Sequence, residues 1–207
     1  MSPVDRPVLS FGAPRAERAD AVRNRQLLLA TAREMLAEEG AERLTMDGLA
    51  ERAGLGKGTV FRRFGTRAGI FQALLDDDER AFQERVLSGP PPLGPGAAPL
   101  DRLIAYGRAR VGFLFEHREI ARAALDGNQP IPAGPEASLS QTHIRALLAQ
   151  VDLGDADLDV LAVQLTAALD GPLLLYLSAS DLTEAAHQIE KRLAQGWQDL
   201  AQRACRP

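Results

Sequence analysis

Apolar residues recur every three or four positions through most of the chain, whereas alternating β-branched runs of strand length are absent. This spacing places the apolar side chains on one face of successive helices. With 207 residues, of which 45% are hydrophobic, the chain is long enough to fill a core. We therefore predict an all-α fold.

Start and stop signals divide the first part of the chain into four helices. Asp20 is a candidate N-cap for a first helix over 21–39, and Gly40 is a candidate stop. Thr45 can cap a second, short helix that ends at Ala53, and Thr66 can begin a long fourth helix. The inner face of the first helix is predicted to comprise Leu28, Ala32, Met35 and Leu36.

Proline and glycine mark the boundary of a second region. The segment SGPPPLGPGAAP at 88–99 contains too many of both to be helical. We predict a mobile arm at 1–20, a small helical domain at 21–67, and a helical bundle at 68–207 whose helix 68–87 links the two. Within the bundle, Pro172 should bend its helix. The further helices are expected at 100–116, 117–125, 135–151, 155–179 and 182–203, with a second loop at 128–134.

Charge is distributed unevenly along a chain whose formal net charge is −4. Residues 21–67 hold nine basic and six acidic residues, whereas 68–207 hold twelve basic and nineteen acidic residues. The basic residues between Arg52 and Arg67 are accompanied by no acid at all. Such a cluster indicates either a nucleic-acid contact surface or a solvated helix face.

Two short predicted helices flank Gly54-Leu55-Gly56, which matches the length and turn chemistry of a helix-turn-helix. The same arrangement occurs in helical bundles that do not bind DNA. In the second helix, at about 100° per residue, Val60 and Phe64 fall on the inward face. The opposite face carries Gly58, Thr59 and Arg62.

The outward residues of this helix suit a DNA groove. An arginine such as Arg62 can donate two parallel hydrogen bonds to a guanine edge, and Thr59 can donate or accept one. Glycine is unfavourable inside a helix, by up to about 1 kcal/mol relative to alanine. Gly58 therefore indicates either close approach to DNA or a tight crossing with another helix.

The segment Thr45–Phe71, TMDGLAERAGLGKGTVFRRFGTRAGIF, resembles the N-terminal signature of TetR-type transcription regulators, and the resemblance extends back over 28–40. It implies a dimeric repressor that binds double-stranded operator DNA and is released by a small-molecule effector. The matching positions are Thr45, Leu49, Ala50, Ala53, Gly54, Leu55, Lys57, Gly58, Thr59, Val60, Phe61, Phe64, Thr66, Arg67 and Ile70.

By this resemblance, 57–64 is the recognition helix, with Thr59 and Arg62 as base readers and Lys57 near a phosphate. Helix starts favour anions, so the residues at such positions should grip phosphates. Those residues are Thr45, Thr66 and Arg67.

Three positions depart from the usual signature and shift the expected phosphate contacts toward arginine. Gly56 stands where a serine or threonine usually caps the recognition helix. Phe61 replaces a tyrosine, although its ring can still pack against a sugar or a thymine methyl group. Arg63 replaces a frequent histidine and adds a charge.

The last predicted helix carries an apolar stripe that suits a subunit interface. Helix-turn-helix proteins normally pair to contact half-sites roughly 34 Å apart. Asp181 and Glu184 can form a capping box before this helix. The stripe either pairs two subunits, with the preceding helix in a four-helix arrangement, or covers the core of one subunit. The predicted interface residues are Ile189, Leu193, Trp197 and Leu200.

A small, largely apolar effector is expected to bind among the helices between the loop and the dimer face. Such sites are mostly apolar with a few polar groups. Aromatic residues at helical spacing are equally typical of a core, and Asp170 beside Gly171 can instead satisfy backbone at the bend. The candidate pocket residues are Tyr106, Phe113, Phe115, His117, His143, Gln164, Asp170 and Tyr176.

Other classes of protein are less consistent with the sequence. The chain has no glycine-rich phosphate loop or serine nucleophile elbow, so we expect no enzyme and no cofactor. The alternatives are an all-helical enzyme that uses His143 and Asp170 as base and acid, or a DNA-binding protein without an effector. The three histidines lack the short spacing of a zinc site, so no metal is expected.

Compartment is inferred from three absences. The apolar run Leu173–Leu177 is far shorter than the roughly 20 residues that cross a bilayer. Residues 1–20 lack the apolar core of a signal peptide. Cys205 is the one cysteine, so no disulfide can form within the chain, and no role is assigned to this residue. We therefore expect a cytoplasmic protein that does not enter a membrane.

Overall fold

The computed structural model describes residues 15–124, 135–177 and 186–206, and within them it contains helices and no strand. The all-α prediction is confirmed. The chain divides into two compact units, Met1–Ile70 and Phe71–Pro207.

In the first unit, α1 (Arg15–Glu39) is followed by a 3₁₀ turn (Ala41–Arg43), α2 (Met46–Arg52), α3 (Lys57–Phe64) and the start of α4 (Arg67–Ser88). The sequence did not indicate the 3₁₀ turn. On the inner face of α1, Leu36 is half-buried and the other three predicted residues are buried. The buried apolar core comprises Leu28, Leu29, Ala32, Met35, Leu44, Met46, Leu49, Ala50, Val60 and Ile70.

The predicted start of the first helix is wrong. Helix α1 begins at Arg15, so Asp20 lies inside it, where it forms an ion pair with Arg23 one turn later and caps nothing. Residues 15–19 read Arg-Ala-Glu-Arg-Ala, and these strong helix formers extend the helix beyond its buried face.

The ends of α2 and α3 follow the predicted turn chemistry. Thr45 Oγ1 accepts a hydrogen bond from Gly48 N–H at 3.0 Å, which caps α2. Helix α3 has the predicted bounds, and its N-cap, Gly56, makes no side-chain hydrogen bond. Gly54 and Gly65 adopt φ of 65° and 71°, a left-handed conformation that favours glycine.

The second unit contains the rest of α4, α5 (Pro99–Glu116), α6 (Arg118–Ala124), α7 (Pro135–Leu148), α8 (Leu158–Leu177) and α9 (Ala186–Ala204). The predicted loop separates α4 from α5. Helix α5 packs against both α7 and α9, and α7 packs against α8. The core around α5 includes Phe82, Leu103, Tyr106, Phe113, Ile144, Leu147, Leu165, Leu169 and Trp197.

Several helix bounds in this unit differ from prediction. Helix α7 ends at Leu148, three residues early. Helix α8 begins at Leu158 because Asp157 Oδ1 accepts hydrogen bonds from the next N–H groups, those of Asp159 and Val160, both at 3.1 Å. Helix α8 continues past Pro172 to Leu177. The predicted loop at 128–134 and the Asp181 to Glu184 capping box lie outside the described residues. Among the described helices, none is long and apolar enough to cross a membrane.

Candidate nucleic-acid interface and ligand site

Helix α3 separates an inward face from an outward one, as its sequence predicted. Val60 is fully buried and Phe64 is half-buried. On the other side Phe61 is 49% exposed, although it is a large apolar residue. Thr59 is half-buried, and the other outward residues are exposed; these are Lys57, Gly58, Arg62 and Arg63.

Gly58 is not required by packing within the protein. A Cβ added at this position would meet no atom within 4 Å. Among the described residues, the alternative of a tight helix crossing is therefore wrong.

The basic side chains around α3 differ in what they already bind. Arg52 donates to Glu38 at 2.5 Å and to Glu39 at 3.2 Å. Its hydrogen bond to Glu38 raises the pKa of Arg52. Arg52 is thus part of an ion-pair network between α1 and α2, and the two carboxylates offset its charge.

Lys57 and Arg63 make weaker contacts with the protein. Lys57 Nζ lies 2.8 Å from Asp47 Oδ2, and both side chains are largely exposed. Exposed pairs of this kind contribute at most about 1 kcal/mol and are screened by salt, so a phosphate can replace Asp47. Arg63 donates to the Ala21 carbonyl at 3.1 Å, which joins the end of α3 to α1.

Arg62 stands apart from this cluster. Within the residues that the structure describes, its guanidinium has no hydrogen bond and no ion pair. It is exposed on the outward face, one turn after Gly58. Its five N–H donors are therefore directed at no acceptor of the described chain, which suits an arginine that reads base edges.

Arg67 has a structural role that the sequence did not indicate. Its Nε donates to the Leu44 carbonyl at 2.7 Å and its Nη2 to the Ala41 carbonyl at 2.5 Å. These carbonyls belong to the 3₁₀ turn and to the residue that follows it. The half-buried guanidinium thus ties the start of α4 to the segment that leads into α2.

Two threonines lie at helix starts as expected for phosphate contacts. Thr45 and Thr66 are exposed, and their hydroxyl oxygens accept from Gly48 N–H and Gly69 N–H, at 3.0 Å and 3.1 Å. The hydroxyl hydrogens can still be donated to an anion. The positive ends of the helix dipoles favour an anion there as well.

The predicted pocket residues of α5 and α7 do lie together in the second unit. Tyr106 donates to Ser140 Oγ at 2.6 Å, and its ring lies 4.8 Å from the His143 ring. Phe113 stacks on His117 at 4.3 Å. His117 also contacts Asp78, with 3.2 Å between Nε2 and Oδ2.

Other predicted pocket residues do not lie in this group. Gln164 is exposed on the outer face of α8, so its assignment to the pocket is wrong. It lies beside Val163, which is 50% exposed, whereas Leu165 is buried; helical rotation directs the two faces apart. Tyr176 lies beyond the residues whose side chains the structure describes. Phe115 is buried at the end of α5, near α9.

The sequence reading missed a buried ion pair beside these residues. Arg110 Nη1 lies 2.5 Å from Glu79 Oε2, and their side chains are 8% and 11% exposed. The guanidinium lies over the rings of Phe82 and Phe113, at 5.7 Å and 5.2 Å from their centroids. The available signal was that Arg110 follows Tyr106 by four residues and therefore shares its face of α5.

Burial alters the titration of three groups in this region. It raises the pKa of Asp170, and the charge of Arg110 opposes that shift. It also raises the pKa of Tyr106, against the hydrogen bond to Ser140. Burial, with the charge of Arg102, lowers the pKa of His143 to about 4. Burial thus disfavours the charged form of each of these three side chains.

The apolar stripe on α9 has one side that is buried in the core and another that is more accessible to solvent. Trp197 is 4% exposed and donates from Nε1 to the Leu103 carbonyl at 3.0 Å, so its assignment to a subunit interface is wrong. The alternative, a stripe that covers the core of one subunit, holds for Trp197. Ala201 and Cys205, which were not predicted as part of the stripe, are buried as well. Burial raises the pKa of the Cys205 thiol.

The other side of the stripe is more accessible. Leu200 is 38% exposed, and Ile189 and Leu193 are half-buried. Leu193 and Leu200 line a groove of about 130 Å³ with residues of α5 and α8. Val160 on α8 is also 51% exposed. The two helices thus carry apolar side chains that the described chain leaves partly uncovered.

Comparison with known proteins finds a family match that covers most of the helices of the first unit. Residues 28–74 match the family model for bacterial regulatory proteins of the tetR family. The chain is 32% identical over 65 residues to an HTH-type transcriptional regulator of Staphylococcus aureus (strain bovine RF122 / ET3-1), covering 31% of this chain and 35% of that protein. It is 36% identical over 59 residues to the DNA-binding transcriptional repressor TetR of Mycobacteroides abscessus, covering 28% and 31%. These matches span about a third of the curated relatives.

Similarity in fold extends over most of the chain. The crystal structure of a TetR-family transcriptional regulator from Pectobacterium atrosepticum superposes with a TM-score of 0.69. Their sequences are 21% identical, and the match covers 88% of this chain and 94% of that one. Because the match covers 88% of the chain, the similarity in fold includes the second unit.

Proposed function

Since the chain belongs to the tetR family of bacterial regulatory proteins through its domain at 28–74, we propose that it is a homodimeric repressor released from DNA by a small molecule. The DNA is a palindromic operator, and the molecule is largely apolar. The outward face of α3 is the observation that carries this proposal. There, Arg62, which has no partner among the described residues, lies one turn from Gly58, which the packing of those residues does not require.

The side chains of α3 divide into two roles in this proposal. Arg62, with Thr59, reads base edges in the major groove, because an unpaired guanidinium can form two parallel bonds to guanine. Lys57 and Arg63 contact phosphates after exchanging their present partners, Asp47 and the Ala21 carbonyl. Gly58 lets the backbone come close to the groove.

Pairing of two subunits follows from what a single α3 can read. One recognition helix contacts too few base pairs for specificity, and two of them match the two halves of a palindrome. We place the interface on α8 and α9, where Val160, Val163 and Leu200 are between 38% and 51% exposed. A contact between these faces would remove apolar surface from water.

The effector site is proposed in the aromatic cluster of the second unit. The ring centroid of Phe82 lies 5.9 Å from that of Tyr106 and 5.2 Å from that of Phe113, and polar groups lie nearby. Apolar walls with a few polar groups are typical of small-molecule sites. Since operator DNA lies in the cytoplasm of a bacterium, the proposed repressor acts there.

The proposal is tested by selecting DNA with the full-length protein from a random double-stranded pool. We expect an inverted repeat to be enriched and bound by a dimer, with affinity that falls as salt rises. The Arg62→Ala variant should lose the enriched sequence. The matched control is Arg80→Ala, an exposed arginine of the second unit that pairs with Asp77 at 3.3 Å. Recovery of unrelated sequences, or a repeat that both variants bind equally, would contradict the proposal.

A further inference from the structure

One face of α5 carries a row of hydrogen-bond donors. Arg102, Tyr106 and Arg110 follow each other at four-residue intervals, so they lie on the same face over about 12 Å. The hydrogen bond to Ser140 and the ring contact with His143 place α7 opposite Tyr106. The ion pair with Glu79 places α4 opposite Arg110. The row is thus enclosed by three helices.

This row has unmet hydrogen-bonding capacity. Two buried nitrogen atoms of the row, Arg102 Nε and Arg110 Nε, lack a hydrogen-bond partner among the described residues. The same is true of His143 Nε2 on α7. The two guanidinium groups can only donate, and a histidine nitrogen donates in one of its two tautomers. A buried donor without an acceptor costs about 1–3 kcal/mol. The surplus therefore favours a ligand that brings acceptor oxygens.

Glu79 shows what kind of acceptor Arg110 takes. Its carboxylate binds Nη1 of Arg110 at 2.5 Å in a place that is almost fully buried. The rings of Phe82 and Phe113 cover the guanidinium at 5.7 Å and 5.2 Å. A carboxylate joined to an apolar body would find here both its charge partner and an apolar wall.

We propose that the row Arg102–Tyr106–Arg110, with His143, binds the headgroup of the effector, and that the effector is an apolar carboxylate that replaces Glu79 on Arg110. This inference rests on the function proposed above and names the ligand class of that site. Glu79 belongs to α4, which begins at Arg67 in the DNA-binding unit. Displacement of Glu79 would release α4 from α5, and the ligand would thereby act on the helix that leads to α3.

Asp170 is the other carboxyl group that acts on Arg110. The charge of Arg110 lowers the pKa of Asp170, but burial raises that pKa by a larger amount. Burial therefore disfavours the charged form of Asp170, whereas the carboxylate of Glu79 is already ion-paired with Arg110. Glu79 is then the group with which the effector competes, and its removal should help the ligand.

The test uses the full-length protein, isothermal titration calorimetry and two probe acids, octanoate and phenylacetate. Each acid is titrated beside the alcohol and the amine that have the same apolar body. We expect at least one acid to bind, and to bind roughly tenfold or more tightly than its two analogues, since charge-assisted hydrogen bonds are the stronger ones. Binding of neither acid, or equal binding of an amine, would overturn the inference.

Variants of the ion pair separate ligand binding from structural support. Arg110→Met should weaken the acid by roughly tenfold or more, whereas Glu79→Gln should strengthen it several-fold by freeing Arg110. A purely structural pair would give losses in both variants. The matched control is Arg108→Met, an exposed arginine of α5 that donates to Gln198 at 3.1 Å. It should leave acid binding unchanged.

Arg102→Met provides a second test if Arg110→Met fails to fold, as judged by circular dichroism and thermal unfolding. Arg102 is half-buried. Arg102→Met should likewise weaken binding of the acid by more than Arg108→Met does. Equal losses in Glu79→Gln and in the arginine variants would overturn the inference. Selection of operator DNA uses no acid, so a protein that selects a repeat and binds neither acid contradicts this inference alone.

Discussion

The indole of Trp197 lies directly against the backbone of Gly107. A Cβ added at Gly107 would be 1.9 Å from Nε1 of Trp197, far inside van der Waals contact. The same Nε1 donates to the Leu103 carbonyl one turn earlier on α5, at 3.0 Å. Helices α5 and α9 are thus joined by a hydrogen bond that only a glycine at this position allows.

The first prediction concerns this contact. Gly107→Ala should lower the free energy of unfolding by about 1–3 kcal/mol, because the indole must move and its hydrogen bond is strained. Gly112→Ala on the same helix is the matched control, since its Cβ would meet only Glu190 Oε1, at 3.5 Å. It should leave stability unchanged or raise it by up to about 1 kcal/mol. Denaturant unfolding of both variants provides the measurement. Equal changes in the free energy of unfolding would contradict the close fit between Gly107 and Trp197.

The second prediction separates stability from DNA binding at Gly58. Because a Cβ there meets no described atom within 4 Å, Gly58→Ala should leave the stability of the free protein unchanged or raise it by up to about 1 kcal/mol. Its affinity for the selected operator should fall by about 1–3 kcal/mol if the helix backbone lies close to the groove floor. Thermal unfolding and fluorescence anisotropy provide the two readouts. Undiminished affinity would mean that α3 stays further from the bases.

The third prediction contrasts two arginines. Arg62→Ala should weaken operator binding by about 1–3 kcal/mol, relax sequence preference and leave stability unchanged. Arg67→Ala should weaken all DNA about equally and lower the salt slope by about one unit. It should also reduce the free energy of unfolding by about 1–3 kcal/mol, since Arg67 binds the Leu44 and Ala41 carbonyls. Fluorescence anisotropy over a salt series provides the measurement of DNA binding. Equal effects of the two variants on sequence preference would contradict these roles.

Local rules were sufficient to predict α2 and α3 of the first unit. A threonine cap, glycines with positive φ and an apolar spacing of four residues fix α2 and α3, because each acts within a few residues of the chain. The start of α1 was missed because residues 15–19 favour a helix without contributing to the buried face that marked it. Gly58 could be identified from the sequence, but only the coordinates showed that nothing in the protein packs against it.

Contacts between residues far apart in the chain could not be predicted from the sequence. Trp197 and Leu103 are 94 positions apart, and no local pattern shows that the indole faces α5 and not a second subunit. Glu79 and Arg110 are 31 positions apart, and charged residues are usually exposed, so the pair was not considered for the core. Which apolar or charged side chain meets which partner depends on how the helices are arranged.

The fourth prediction concerns acid stability. Burial and the charge of Arg102 lower the pKa of His143 from 6.5 to about 4. Below pH 6.5 the unfolded chain takes up this proton before the folded protein does, so the stability due to neutral His143 is lost as pH falls toward 4. The full loss is roughly 3 kcal/mol. His143→Leu should reduce the dependence of unfolding free energy on pH in this window. His187→Gln, at an exposed histidine, is the control, and an equal change in both would contradict the assignment.

The last prediction tests the subunit interface at Leu200. The sequence placed Ile189 and Leu193 at this interface too, but both are half-buried within one chain, so an aspartate there would also disturb the fold. Leu200 is 38% exposed, so Leu200→Asp should leave the monomer folded and place an unpaired carboxylate in the interface, which is costly. We expect sedimentation velocity to show a wild-type dimer and a Leu200→Asp monomer at micromolar concentration, with operator affinity lost in the variant. Leu87→Asp is the control, because Leu87 is 66% exposed on α4. A Leu200→Asp dimer would place the interface elsewhere, and a wild-type monomer would contradict the homodimer itself.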